Sequence, residues 1–213
     1  MLTVHHLGLS QSERIVWLCE ELELEYELRR YERLDGKGLA PPEYKLLHPM
    51  GTAPVITDGD LVLAESGAIC EYICRRYGEG KLVPAPDSPD LAGHLFWFHW
   101  CNGTFMAALM AQSVLKLAKA EPGNKGAAYL DDRIETAWHM IEGRLNEARF
   151  FGGSDLTTAD IMMVFSLTTG RIFRGTSIEA YPAVQRYLAD IGQRPAYQRA
   201  MAKAEPGFRP GLT

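Results

Sequence analysis

The stretch Gly51–Cys70, GTAPVITDGDLVLAESGAIC, restricts the fold more than any other part of this sequence. Two β-branched runs, PVIT and LVLA, flank Asp58-Gly59-Asp60, and Asp-Gly is a strong hairpin signal because glycine takes positive φ without strain. From Ser66 the period becomes helical, with Ile69, Tyr72 and Ile73 facing one way as far as Tyr77. Upstream, Leu2–His5 reads as a short strand. A helix follows from near Ser12, where Ile15, Leu18, Cys19 and Leu22 form one apolar stripe, and Tyr26–Tyr31 reads as a second strand. The segment from Glu32 to His48 carries Gly36, Gly38, Pro41 and Pro42, which predicts loop with at most a short helix.

A strand-helix-strand unit implies a right-handed parallel crossover, and the closing hairpin adds antiparallel strands. The expected fold of residues 1–78 is therefore α/β, a mixed four-stranded sheet of the thioredoxin-like kind. Residues 79–89, rich in proline (Pro84, Pro86, Pro89), read as a linker. Residues 90–213 read as all-helical: a long aromatic run from Leu91 to Ala118, a helix from about Gly126 to Arg149, and three shorter helices. At LTTADI, Thr157 is placed to cap a helix with Asp160 in a capping-box role, and Leu156 and Ile161 hold the positions of a hydrophobic staple.

Composition narrows the partners. A net charge of −5 argues against nucleic acid or an anionic membrane surface, and there is no run of about 18 apolar residues and no leader pattern at the N-terminus. The four cysteines (Cys19, Cys70, Cys74, Cys101) are too few for a disulfide scaffold, and Cys70 and Cys74 lack redox spacing, so a reducing cytoplasm is expected. His94, His99 and His139 lack the spacing of a metal set, so no metal is expected.

Three features carry chemistry. Pro54 opens a strand; in the cis form it would turn the backbone of Val55 outward, where it could pair with an extended peptide. As an ordinary trans residue it would only begin the strand. Glu65-Ser66 stands at a helix N-terminus, where free amides and a hydroxyl bind a carboxylate while the acid pairs an ammonium group. A γ-glutamyl group offers both; the plainer reading is an acid and a serine stabilising a helix start.

In their order and spacing, AP-V at 53–55, ES at 65–66, the proline-rich linker, the helical second half and TTAD at 157–160 resemble the soluble glutathione transferases. The resemblance spans essentially the whole chain and points to a serine-type member similar to bacterial and fungal ones. It implies glutathione as co-substrate, bound by Thr52, Ala53, cis-Pro54, Val55, Glu65 and Ser66, with Val55 after the cis-proline holding the cysteinyl backbone and Glu65 and Ser66 the γ-glutamyl end. It also implies a homodimer, a small hydrophobic electrophile and a role in detoxification.

The resemblance places the catalytic group in LGLSQSER, at Ser10, with Arg14 four residues on. Ser12 is the alternative but reads better as the cap of the first helix. No cation precedes Pro54, where Gly51 and Thr52 stand, which leaves Lys45 or Lys37 for the glycyl carboxylate. Asn102, polar within an aromatic run, either reaches the glutathione site or is a solvated position. Trp97, Phe98, Trp100, Phe105 and Met106 are candidates for the electrophile pocket, though such a stripe is more often core. The leading function is conjugation of glutathione to small electrophiles or its use to reduce peroxides; the competing ones are a non-catalytic interaction module that keeps the fold, and a glutathione-dependent isomerase, dehalogenase or ether-cleaving enzyme on the same thiolate.

Overall fold

The computed structural model describes residues 1–34, 38–121 and 123–213. Its first half holds four strands, β1 (Leu2–Leu7), β2 (Glu27–Tyr31), β3 (Val55–Asp58) and β4 (Leu61–Ala64), in the order β2-β1-β3-β4. β1 runs parallel to β2 and antiparallel to β3, with Val4 opposite Leu28 on one side and Ile56 on the other. The parallel pair needs a crossover, which α1 (Glu13–Glu21) supplies. The two-residue β3–β4 turn is Gly59-Asp60, one position later than the Asp58-Gly59 signal, with Gly59 at a φ of 60° and Asp58 already paired with Leu61. A short helix, α2 (Pro42–Lys45), precedes the hairpin and α3 (Ser66–Tyr77) follows it.

All six residues of β1 are buried, because the sheet is covered on both faces. Alternation then decides where its two histidines go. His5 bonds Tyr31 Oη (3.0 Å) and Thr57 Oγ1 (3.1 Å) on one face. His6 turns to the other, toward the loop after β1 and the far end of the chain.

The second half is helical. One continuous rod comprises α4 (Leu91–Trp100), a π-helical segment at Cys101–Met106 and α5 (Ala107–Leu117). Then follow α6 (Lys125–Glu147), α7 (Thr158–Leu167), α8 (Thr169–Arg174), α9 (Pro182–Gly192) and α10 (Pro195–Ala204). Four short helices follow α6, one more than the periodicity predicts, because the backbone breaks at Thr168 (φ −115°, ψ −101°) and divides one apolar run into α7 and α8.

The two halves share one core. α1 packs against α3 of its own half and against α7 and α10 of the other, so Ile15, Val16, Trp17, Leu18 and Cys19 are all buried. At 20–33 cal/mol per Å² of apolar surface, burying each large aliphatic side chain contributes about 1.5–3 kcal/mol. Among the described residues no helix is long and apolar enough to cross a membrane.

Candidate functional site

The site begins in the turn between β1 and α1. Leu9, at a φ of 53°, holds a left-handed conformation that costs a non-glycine residue of order 1–3 kcal/mol. Its N–H donates to Glu205 Oε1, from the residue that caps α10. That turn delivers Ser10 to the lining of a cleft of about 470 Å³, within the range of small-molecule sites.

Ser10 Oγ lies 2.7 Å from Ser12 Oγ and accepts from Ser12 N–H at 3.2 Å. Ser12 Oγ lies 2.9 Å from His6 Nδ1, and His6 Nε2 lies 2.9 Å from Glu205 Oε1. All four side chains are buried. Ser12 occupies the N-cap position of α1, but its side chain does not cap. Its backbone is already helical (φ −68°, ψ −16°), which turns the hydroxyl away from the first-turn amides and toward His6 and the Leu7 N–H (3.1 Å).

Four residues past Ser10, Arg14 is only 1% exposed. One guanidinium nitrogen donates to Ser66 Oγ at 3.2 Å and Asn102 Oδ1 at 3.1 Å, and also to Gln11 Oε1. The other donates to Cys101 Sγ (3.4 Å) and Ser166 Oγ (3.5 Å), and the group stacks 5.3 Å from the Phe165 ring centre. It forms no ion pair among the described residues, so a buried cation is held by neutral acceptors and an aromatic face. Asn102 is thus tied to the site through Arg14 rather than by lining the cleft. Ser66 is the first residue of α3, and Glu65 before it is exposed at a φ of 72°. Because Arg14 supplies the donor to Ser66 Oγ, the serine's own proton is free for a ligand acceptor at that helix end.

The opposite wall of the cleft is formed by Gly51, Thr52 and Ala53, and the Ala53–Pro54 peptide is cis. Val55 does not face the cleft, contrary to the sequence expectation. It is buried at the start of β3, flanked by His5 of β1 and Ala64 of β4, so both of its edges are occupied by strands. The residue that meets the cleft is Ala53, on the other side of the proline. Lys45 lines the cleft near Gly51, Lys37 lies outside the described residues, and Arg33 adds a second cation at the mouth.

Of the aromatic and methionine stripe, only Met106 reaches the cleft; Trp97, Phe98, Trp100 and Phe105 are core. Phe165, Phe173 and Met110 complete the apolar side, with Arg174 beside them. Two of these come from α8, which no local pattern in the sequence marks as part of a pocket. No cysteine lines the cleft. All four are buried, and burial pushes their thiols up, Cys74 to about 12, so they behave as small apolar groups.

Comparison with known proteins settles the family. Residues 2–75 match the family model described as "Glutathione S-transferase, N-terminal domain" and residues 104–195 the corresponding C-terminal domain. The chain belongs to the glutathione S-transferase family. It is 30% identical over 217 residues to glutathione S-transferase 3 of Schizosaccharomyces pombe, covering 96% of this chain and 88% of that one. A solved glutathione S-transferase of Actinobacillus pleuropneumoniae is 36% identical, with a TM-score of 0.86 over 96% of this chain and 93% of that one. A glutathione transferase of Phanerochaete chrysosporium, solved with oxidised glutathione, shares the fold at a TM-score of 0.73 and 22% identity, over 95% and 94% of the two chains. This transferase therefore has the thioredoxin-like sheet and helical partner of its family, and it is an enzyme of glutathione.

Proposed function

We propose that Ser10 is the catalytic residue, donating its hydroxyl proton to the thiolate of bound glutathione, which then attacks a small apolar electrophile. What carries this reading is the place of Ser10: it lines the same cleft as Thr52 and Ala53, two residues before the N-cap of α1. The magnitudes are sufficient. Half-ionising a thiol of ordinary pKa near 8.5 at pH 7 requires about 2 kcal/mol. A hydrogen bond to a charged group contributes about 1.5–3 kcal/mol and a helix N-terminus about 0.3–1 kcal/mol.

On the same reading Thr52 and Ala53 flank the cysteinyl part, with Pro54 fixing the turn. Glu65 and Ser66, braced by Arg14 and Asn102, take the γ-glutamyl end. Lys45 and Arg33 supply the positive charge for the glycyl carboxylate that Gly51 and Thr52 lack. Residues 1–78 bind glutathione, residues 90–213 shape the electrophile side, and 79–89 join them. Phe165, Phe173, Met106 and Met110 suit a small hydrophobic electrophile. The chain is assigned to a reducing cytoplasm, consistent with its four free cysteines, and to a homodimer.

The test is an ultraviolet titration of the thiolate of bound glutathione. The unaltered enzyme is expected to form it below neutral pH. Ser10→Ala is expected to lose one to two orders of magnitude in turnover from the missing hydrogen bond, about 1.5–3 kcal/mol, while glutathione affinity stays nearly intact. Unchanged turnover would move the role to Ser12 or to a backbone amide.

A further inference from the structure

We propose that His6 is the acceptor of the glutathione thiol proton, reached through Ser10 and Ser12 and held in place by Glu205. The inference rests on the Ser10 reading above and adds to it a destination for the proton.

The hydrogen-bond inventory fixes the direction of the chain. A carboxylate only accepts, and Glu205 Oε1 already takes the Leu9 N–H, so His6 Nε2 facing it must carry a proton. In the neutral ring this leaves Nδ1 as the acceptor for the Ser12 hydroxyl at 2.9 Å. Ser12 Oγ then accepts from Leu7 N–H and from the Ser10 hydroxyl, while Ser10 Oγ accepts from Ser12 N–H and keeps one lone pair free for a ligand. Before any reaction, both hydroxyls therefore donate inward, from the cleft toward His6.

A thiol placed at Ser10 completes the line. Its S–H bond breaks with the electron pair left on sulfur, and the proton forms a new O–H bond on Ser10. The original Ser10 proton passes to Ser12 across 2.7 Å, and the original Ser12 proton passes to His6 Nδ1. One S–H bond is exchanged for one N–H bond, and both hydroxyls are regenerated. Every bond then runs outward: His6 to Ser12, Ser12 to Ser10, Ser10 to the thiolate. No polar atom of the relay loses a partner in either state, so the reversal leaves no buried group unpaired.

Charged and titratable groups face the relay from several elements. Glu205 faces the imidazole from the end of α10 at 2.9 Å. Glu13 of α1 acts on Glu205 from the helix side, and burial pushes its carboxyl up to about 8, so near neutral pH it adds little negative charge. Arg33 lies near Glu205 with its guanidinium on the Gly8 and Leu9 carbonyls. Arg30 of β2 donates to the Ala204 carbonyl, and Glu32 approaches Gly8 beside Glu205. His6 is a positioning residue here, since it meets the substrate only through the two serines.

The experiment measures two things when glutathione binds at pH 7: thiolate absorbance, and the proton released to a weakly buffered indicator. S-methylglutathione, which has no thiol proton, serves as the blank. In the unaltered enzyme thiolate is expected to appear without stoichiometric proton release. Ser12→Ala, which cuts the chain but leaves both ends, is expected to lower the acid dissociation constant of the bound thiol roughly tenfold, with the proton then going to the buffer. His6→Gln is expected to do the same, and the double variant no more than either alone. A role in folding alone would lower melting temperature without moving the thiol titration. Thiolate formed with one proton released in the unaltered enzyme, or a titration unmoved by Ser12→Ala, would overturn the relay and leave Ser10 as donor. Bound glutathione that stays a thiol in the unaltered enzyme would overturn both.

Discussion

Glu13 and Arg14 are neighbours on α1, both buried, and each shows what one position asks of its side chain. The Glu13 carboxyl is pushed up to about 8 by burial, opposed by the Thr169 hydroxyl and Arg14. An acid with a raised folded-state pKa binds its proton more tightly folded than unfolded. Its cost is absent below the ordinary carboxylate range, grows from about pH 4.5 to 8, and is complete above that. Glu13→Gln is therefore expected to raise the melting temperature markedly at pH 8.5 and little at pH 5, which thermal denaturation at the two pH values would reveal. Arg14→Lys keeps the charge but loses the planar fork that reaches Ser66 and Asn102 together. Glutathione affinity is expected to fall roughly tenfold by calorimetry, as for one lost charge-assisted bond. The sequence offered Arg14 only as a basic residue one turn after Ser10; its five partners come from residues 11, 66, 101, 102 and 166, and no local spacing encodes that convergence.

Elements differ in how fully their own residues announce them. LTTADI did so through its capping box. Thr157 Oγ1 accepts from Ala159 N–H at 3.2 Å, Asp160 Oδ2 accepts from Thr157 N–H at 2.9 Å, and Leu156 and Ile161 are both buried. The rest of Asp160's work is tertiary: its other oxygen accepts from Phe151 N–H and Tyr187 Oη. Asp160→Ala would strip these three donors of their acceptor, and chemical denaturation is expected to show a loss of about 3 kcal/mol or more. The rod from Leu91 to Leu117 was legible as helix but not as interrupted helix. Its π-helical segment shifts the phase of the side chains within a run that is apolar nearly all round, so no periodicity marks the shift. Yet Met106, which lines the cleft, and Asn102, which holds Arg14, both lie in that segment.

At the scale of the molecule, element order and the change from α/β to all-helical could be read directly, because turn residues and hydrophobic period are local. The shared core could not. α1 is packed from both halves, and removing α7 and α10 would expose the face bearing Trp17, which meets Tyr197 edge-on. Residues 1–78 expressed alone are expected to lack cooperative unfolding by circular dichroism, while the full chain melts in a single calorimetric transition. Glu205 belongs to the same class of contact, 199 residues from His6. That separation is also an interval of time. A chain made from its N-terminus at roughly 5–20 residues per second completes β1 and α1 on the order of ten to forty seconds before Glu205 exists. Throughout that interval the nascent transferase has its serines and imidazole but not the carboxylate that orients them. On the proposed relay, a product of premature termination before residue 205 would stay in that state, with no carboxylate facing His6.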